Sequence, residues 1–179
     1  MSKKVIMPIT NGFEEIEAIT IIDILRRAGA AVTVAALEGR QITGAHNIEI
    51  KTDAALEDIL NEEYDLVVLA GGGKNADSLG EDKQAQTLIK RQFAAGKLVA
   101  AICAAPLALH RAGAIKGEYT CFSGCEQTIG DGYVQKNVVE NGNVITSRGP
   151  GTAGEFALAL AAALYGKETA DKLKKGMYY

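Results

Sequence analysis

Short apolar runs alternate along the chain with longer segments in which apolar residues recur at helical spacing. The apolar runs predict strands over residues 4–8, 31–36, 66–70 and 98–102. The helical spacings predict helices over residues 14–27, 54–61, 83–95, 104–112, 152–165 and 167–175. Because strands and helices alternate, we expect βαβ units and an α/β fold, with a mostly parallel sheet covered by helices on both faces.

Two shorter segments predict additions to this sheet. Asn141 and Gly142 separate residues 138–140 from residues 144–146 and form a strong signal for a small β-hairpin. Residues 48–51 are short and alternating, which predicts an added edge strand. The 179 residues contain no repeat, low-complexity segment or linker, so we expect a single domain over residues 1–179.

Charge and composition exclude several classes of partner. The 19 basic and 22 acidic residues are interspersed and form no basic stripe, so no nucleic-acid partner is expected. No apolar run is long enough for a membrane span, and the N-terminus lacks the apolar core of a signal peptide. An odd number of cysteines without a disulfide framework is typical of a reducing compartment and predicts a cytoplasmic location. The cysteines and histidines lack metal-ligand spacing, so we expect no metal and no cofactor.

Cys103 is the strongest candidate for chemistry. In a parallel sheet, ligands bind beyond the carboxyl ends of the strands, where the loops over residues 9–13, 70–74 and 102–105 should meet. Cys103 ends a predicted strand and is followed by small residues and Pro106, a pattern similar to a nucleophile elbow. The N-terminus of the next helix should lower the pKa of the thiol and favour the thiolate. The alternative is that Cys103 is a small buried hydrophobic residue in an alanine-rich strand end.

A glycine run over residues 71–73 lies in one of these loops. Glycine lets the backbone approach a substrate closely, and the N–H groups of Gly72 and Ala104 could together form an oxyanion hole. A phosphate-binding turn is the competing use, although the chain has no G-x-G-x-x-G or Walker pattern.

Glu17 is a carboxylate on the apolar face of the first predicted helix. At about 100° per residue it falls between Ile21 and Ile24. Burial and a nearby thiolate would both raise its pKa, so a protonated Glu17 could donate a hydrogen bond to the Cys103 sulfur and later act as a base. The alternatives are a residue at the edge of the apolar stripe or a partner for Arg27 elsewhere. Glu15, by contrast, lies in the first turn, where a carboxylate suits the helix dipole.

The same helix carries a second apolar stripe, formed by Ile16, Ile19 and Ile22. A helix that is apolar on two faces is buried on two faces. One face would cover the sheet and the other would meet a partner subunit, so we expect a homodimer.

Several stretches that together span nearly the whole chain resemble the DJ-one branch of the ThiJ/PfpI superfamily. They are residues 11–17, 23–29, 65–72, 100–106, 146–152 and 155–159. The combination is more specific than any one of these motifs. The resemblance implies a flavodoxin-like, doubly wound homodimer with a cysteine on a strained turn, hydrogen-bonded to a protonated glutamate. By motif position these two residues are Cys103 and Glu17.

The resemblance also places further residues. The backbone amides of Gly72 and Ala104 would face the sulfur. The residues expected to line the site are Gly71, Phe122, Arg148 and Pro150. The residues expected at the dimer interface are Glu15, Arg27 and His46. For His46, the alternative is an exposed turn residue.

Two departures from the family pattern bear on activity. Several members carry a histidine near the cysteine where Phe122 stands here, and a site without that histidine should be slow. The protease-like branch carries a histidine directly after its cysteine, and here that residue is Ala104, so a protease is poorly supported.

The resemblance leaves three functions open. The first is a cofactor-free glyoxalase or deglycase, whose partner is a small α-oxoaldehyde such as methylglyoxal or glyoxal, or a glycated protein. The second is a redox sensor that forms a cysteine sulfinate, or a holdase chaperone, without significant turnover. The third is a stress-related binding module with a vestigial site.

Overall fold

The computed structural model of the protein describes residues 2–179. The strands in chain order are β1 (Lys4–Ile9), β2 (Ala31–Ala36), β3 (Gln41–Thr43), β4 (Glu49–Lys51), β5 (Ala54–Ala55), β6 (Leu66–Leu69), β7 (Leu98–Ile102), β8 (Val138–Asn141) and β9 (Val144–Ser147). The helices are α1 (Glu15–Arg27), α2 (Leu56–Ile59), α3 (Gly73–Glu81), α4 (Lys83–Ala94), α5 (Pro106–Arg111), α6 (Glu126–Ile129), α7 (Ala153–Tyr165) and α8 (Lys167–Gly176). None of these helices is both long enough and apolar enough to cross a membrane.

The main sheet has seven strands in the order β5, β2, β1, β6, β7, β9, β8. Neighbouring strands are parallel except for β8, which pairs antiparallel with β9 at one edge. The mostly parallel, doubly wound, flavodoxin-like sheet predicted from the sequence is confirmed, and so is the hairpin at Asn141 and Gly142.

The two faces of the sheet are covered by different helices, because successive residues of a strand point to opposite faces. In β1, Val5, Met7 and Ile9 belong to the core layer formed with α1 and α7, whereas Ile6 belongs to the layer formed with α3, α4 and α5. The central strand β6 is buried along its whole length. Burial on both faces explains why its sequence is a continuous apolar run and not an alternating one.

The structure corrects the prediction for residues 48–51. These residues do not extend the main sheet, because β4 pairs antiparallel with β3 in a separate two-stranded sheet. Ile42 of β3 is fully buried and lies opposite Ile50 of β4. The alternating pattern identified a strand correctly, but such a pattern says nothing about which strand will be its partner.

Helix α3 is missing from the sequence prediction. Only Asn75, Ala76 and Leu79 of its nine residues are buried, so the segment has no long apolar stripe. Two other predicted helices begin later than expected. Residues 54 and 55 pair with β2 before α2 begins, and residues 103–105 form a turn before α5 begins.

Candidate functional site

Cys103 occupies a strained turn between β7 and α5. Its φ angle is 64°, in the left-handed region that non-glycine residues rarely adopt. The Cys103 N–H donates to the carbonyl of Ser147 at 3.0 Å, and the Phe122 N–H donates to the carbonyl of Cys103 at 2.8 Å. Both backbone groups are therefore held in place, and the side chain is 8% exposed. The turn combines the strain and the small opening expected of a nucleophile elbow.

The glycine run after β6 brings the backbone against this turn. A Cβ atom on Gly71 would lie 2.5 Å from Cys103 Cβ and 2.6 Å from Glu17 Oε2, so any side chain at this position would clash with both. Gly72 has a φ angle of 89°, and a Cβ there would lie 2.2 Å from the carbonyl oxygen of Gly12. These two positions therefore require glycine because the loops at the carboxyl ends of the strands pack too closely for a side chain.

Glu17 is fully buried on α1, next to Gly71 and within hydrogen-bonding reach of the Cys103 thiol. Its Oε2 accepts a hydrogen bond from the Gly71 N–H at 2.7 Å. Its Oε1 is buried without a conventional hydrogen-bond partner in the described chain, residues 2–179. Burial raises the pKa of Glu17 to about 7, against the lowering effects of the Gly71 amide and the Cys103 thiol. The charge of Glu14 raises it further. Glu17 can therefore gain or lose a proton near neutral pH.

The expectation that the turn lowers the pKa of Cys103 is wrong. Burial is the largest influence and, together with the charge and hydrogen bonding of Glu17, it raises the pKa of the thiol to about 12. The amides of Gly72 and Ala104 act in the opposite direction, as the sequence predicted, but they do not outweigh burial. The thiol therefore holds its proton more tightly than the neighbouring carboxyl does, and the two groups form one coupled acid–base pair.

With this pair, the Cys103 thiol would lose its proton to Glu17 only as it reacts, and would not be a thiolate beforehand. An ionised Glu17 can take the Cys103 proton as the sulfur attacks an electrophilic carbon. The amides of Gly72 and Ala104 act on the sulfur side of the site, where they can stabilise negative charge that develops next to it. The arrangement suits addition of a thiol to a carbonyl compound and proton transfer within the adduct.

Three of the residues predicted to line the site lie in a neighbouring cleft. Phe122, Arg148 and Pro150 face a shallow cleft of about 230 Å³, together with residues 123, 149, 151 and 152. Cys103 does not line this cleft, but the hydrogen bond from Phe122 to its carbonyl joins the two regions. Phe122 is 50% exposed and provides an apolar wall. The fourth predicted lining residue, Gly71, packs against both Glu17 and Cys103.

Glu15 and His46, both predicted at a dimer interface, contact each other. Glu15 is 5% exposed and accepts hydrogen bonds from the His46 N–H at 2.7 Å, His46 Nδ1 at 2.9 Å and the Ile48 N–H at 3.4 Å. Burial opposes its ionisation, but the bonds from His46 and Ile48 outweigh burial and lower its pKa to about 2. The same contact raises the pKa of His46. Glu15 therefore anchors the loop after β3, a role that its position in the first helical turn did not indicate.

The only group within residues 2–179 that has the ligand atoms for a metal ion is formed by Glu14, Glu15 and His46. Their ligand atoms lie within 4.8 Å of one another. The Glu15 carboxylate is already satisfied by the hydrogen bonds of the loop, so we assign no metal to this group.

Arg27, the third predicted interface residue, lies at the opposite end of α1. Its Nε donates to Asp23 Oδ2 at 2.7 Å within the same helix. Ile16 and Ile19 on the same helix are 57% and 45% exposed. This apolar surface is consistent with a subunit contact, and the homodimer remains a prediction.

The other two cysteines are not activated thiols. Cys121 is buried, and burial raises its pKa to about 12, with further contributions from Cys125 and Glu126. Burial also raises the pKa of Cys125. Neither environment favours a thiolate. The Cys121 thiol donates a long hydrogen bond of 4.0 Å to Glu126 Oε2, but Cys103 differs because the amides of Gly72 and Ala104 also act on its sulfur.

Sequence reasoning missed one buried polar residue close to the site. Asn75 is fully buried on α3 and its side chain bonds to the backbone of Thr10, Ala70 and Gly71. The signal that could have identified it is an amide side chain two residues after a glycine run, at a position where the backbone needs polar partners.

Comparison with known proteins relates the whole chain to one family. The family model described as DJ-1/PfpI family matches residues 3–163. The chain is 40% identical over 182 aligned residues to Protein dj-1beta of Drosophila melanogaster, covering 99% of this chain and 97% of that protein. It is 36% identical to Glutathione-independent glyoxalase DJR-1.2 of Caenorhabditis elegans, covering 90% of this chain and 88% of that protein. The solved structure of oxidized Toxoplasma gondii DJ-1 superimposes with a TM-score of 0.95 at 36% identity, covering 99% of both chains.

Proposed function

Because this chain belongs to the DJ-1/PfpI family, we propose that it is a cofactor-free enzyme that converts small α-oxoaldehydes into 2-hydroxy acids through Cys103 and Glu17. The observation that carries the proposal is a fully buried carboxyl hydrogen-bonded to a thiol, with both groups packed against Gly71. A relative named as a glutathione-independent glyoxalase supports the same reaction class. Deglycation of adducts would use the same residues, with an amine as the leaving group.

The first step is addition of the thiol to the aldehyde carbon. The Glu17 carboxylate takes the Cys103 proton while the sulfur–carbon bond forms, and the aldehyde oxygen becomes negatively charged. The amides of Gly72 and Ala104 stabilise this oxygen, because both donate to the sulfur and the oxygen develops on the carbon bonded to that sulfur. Protonation of the oxygen by Glu17 gives a neutral hemithioacetal and regenerates the carboxylate.

The second step moves a proton between neighbouring carbons. Glu17 removes the proton from the former aldehyde carbon, which gives an enediolate, and returns that proton to the former ketone carbon. The hydroxyl proton of the former aldehyde carbon passes to the oxygen of the former ketone, so that a thioester carbonyl and an alcohol remain. The aldehyde carbon is oxidised to a thioester and the ketone carbon is reduced to an alcohol, so no external oxidant or reductant is needed. A carboxyl whose pKa is about 7 can perform both transfers near neutral pH.

The third step is hydrolysis of the thioester. Water adds to the thioester carbon, the sulfur leaves as the thiol, and the product is a 2-hydroxy acid. The sum of the three steps is addition of one water molecule to one α-oxoaldehyde.

The test is methylglyoxal consumption, with product analysis for lactate, by the wild type and three variants. We expect Cys103→Ala to abolish turnover and Glu17→Gln to lower kcat/KM by about 10²–10⁴-fold, because each removes a group that the reaction needs. Cys125→Ala, at a thiol without a proton acceptor, is the matched control and should retain activity. The wild-type rate should rise with pH through about 7, as Glu17 ionises. Equal rates in all four proteins would end the proposal.

A second candidate function is sensing of peroxides through Cys103. Oxidation by one hydroperoxide would give a sulfenic acid and an alcohol or water, and a second would give the sulfinic acid. A protonated Glu17 and the two turn amides could hydrogen-bond to the new oxygens, and one structurally similar relative is described as oxidized. After mild peroxide treatment, a mass increase of two oxygens confined to Cys103 would support sensing, whereas equal oxidation of Cys121 and Cys125 would contradict it.

A further inference from the structure

Asn75 lies directly behind the loop that supplies the backbone of the candidate site. Its Nδ2 donates to the carbonyl of Ala70 at 2.8 Å and to the carbonyl of Gly71 at 3.2 Å. Its Oδ1 accepts from the N–H of Thr10 at 2.8 Å. The side chain is fully buried, so no water competes for these bonds at its surface. One amide group thus ties the end of β6 to the loop after β1.

Each carbonyl held by Asn75 belongs to a peptide unit whose N–H acts on the site. The carbonyl of Ala70 shares its peptide unit with the N–H of Gly71, which donates to Glu17 at 2.7 Å. The carbonyl of Gly71 shares its unit with the N–H of Gly72, which acts on the reactive sulfur. A hydrogen bond to the carbonyl of a peptide unit polarises the unit and strengthens its N–H as a donor.

We propose that Asn75 is a positioning residue for the reaction, because it aims and polarises the two backbone amides that stabilise negative charge on Glu17 and beside the Cys103 sulfur. The inference rests on the proposed function only because that function assigns the catalytic roles of Glu17 and Cys103. Asn75 acts through the Gly71 and Gly72 peptides and is not itself a catalytic residue.

A substitution of Asn75 by an uncharged residue adds or removes no charge near Glu17 and Cys103. The Glu14 carboxyl is the other acidic group that acts on Glu17, and Glu14 is the N-cap residue of α1, outside α3. The Glu14 N–H donates to the carbonyl of Gly71 at 3.1 Å, so this carbonyl keeps one of its donors when Asn75 is replaced. The effect of the replacement should therefore be a graded change in acidity and not a collapse of the loop.

Gln92 provides a matched control at the opposite end of the same strands. It is also a buried amide, 4% exposed, and its Nε2 donates to the carbonyl of Tyr64 at 3.1 Å and of Leu98 at 3.2 Å. These carbonyls lie at the amino ends of β6 and β7, away from the site. Replacing Gln92 removes the same kind of bonds without touching the Gly71 and Gly72 peptides.

The experiment measures the titration midpoint of Glu17 by ¹³C NMR of its carboxyl group in the wild type, Asn75→Ala and Gln92→Ala. Asn75→Ala should raise the midpoint by about half a unit to one unit, a three- to tenfold change in proton affinity. It should also slow alkylation of Cys103 by iodoacetamide at pH 8. Gln92→Ala should leave both readouts at the wild-type value. If Asn75→Ala does not fold, Asn75→Ser, which keeps one donor, replaces it, and a smaller upward shift is expected.

Equal midpoints and equal alkylation rates in all proteins would overturn the inference, because a purely structural amide would change stability without changing acidity. A shift of the same size in Gln92→Ala would overturn it as well. Neither readout needs turnover of an aldehyde. Failure of the wild type to consume methylglyoxal would therefore remove the proposed function while leaving the role of Asn75 to be decided by the titration.

Discussion

Glu15 and Glu17 lie two residues apart on α1, and their exposed fractions are 5% and 0%, yet their pKa values move in opposite directions. Burial opposes ionisation of both. Glu15 accepts three hydrogen bonds from the loop that contains His46 and Ile48, and its pKa falls to about 2. Glu17 accepts one backbone hydrogen bond, from Gly71, and its pKa rises to about 7. Glu17 also lies deeper in the protein than Glu15, so depth and the number of donors together decide which carboxyl is an anchor and which can exchange protons.

The test with the largest expected effect disturbs the close packing of Gly71 against Glu17 and Cys103. Gly71→Ala places a methyl group against both Cys103 Cβ and the Glu17 carboxyl, so these groups must shift, and a displacement of about 1 Å can cost about 10²-fold in rate. We expect kcat/KM for methylglyoxal to fall by about that factor. Gly73→Ala is the control, because a Cβ there has no atom within 4 Å. Full activity in Gly71→Ala would show that the close approach of the two groups is not required.

The next test compares the stability of the two Gln variants. Glu15→Gln should lower the free energy of unfolding at pH 7 by about 2 kcal/mol, because it weakens charge-assisted hydrogen bonds to a buried carboxylate. Glu17→Gln should cost less or even stabilise, because the native carboxyl resists ionisation in its buried position. Urea unfolding of the wild type and both variants measures this. A larger loss in Glu17→Gln than in Glu15→Gln would reverse the assigned roles.

The last test is the pH dependence of stability in the wild type. The lowered pKa of Glu15 means that its stabilisation is present above its ordinary value of 4.5 and is lost as the pH falls toward about 2. The raised pKa of Glu17 means that the folded state keeps a proton between 4.5 and about 7, so stability falls as the pH rises through that range. His46, whose pKa is raised, adds a loss above 6.5.

Taken alone, the contributions of Glu15, Glu17 and His46 predict that the free energy of unfolding is largest near pH 4.5 to 5. Urea unfolding across the pH range checks it. The rising limb should disappear in Glu15→Gln, and the falling limb below pH 6.5 should disappear in Glu17→Gln. Loss of the same limb in both variants would mean that the two carboxyls do not act independently.

The central strands and most helices follow from the apolar pattern, because its period and continuity report which faces of an element are buried. The mostly parallel pairing follows from the alternation of strands and helices. The same pattern could not place β4, since pairing with β3 depends on chain geometry. It also missed α3, whose polar sequence is stabilised by contacts made after folding. Element type was therefore accessible from local sequence, whereas strand partners and weakly amphipathic helices were not.

The sequence predicted those parts of the site that depend on residue type and on which face of a helix is buried. The burial of Glu17 follows from its position in the apolar stripe, and the sharp turn at Cys103 follows from its small neighbours. The direction of the Cys103 pKa shift could not be predicted from the sequence. Burial and Glu17 raise the pKa, the amides of Gly72 and Ala104 lower it, and only the structure shows which effect is larger. The contact between Glu15 and His46 joins residues 31 positions apart, so no local pattern could reveal it.

The left-handed backbone at Cys103 has a consequence for laboratory evolution of this protein. Glycine adopts that conformation without steric cost, and asparagine tolerates it better than most side chains do. Libraries screened only for heat tolerance should therefore drift toward these residues at position 103, whereas libraries screened for turnover should retain the sulfur. The ratio of the two outcomes would measure how far selection for chemistry, and not for folding, maintains this residue.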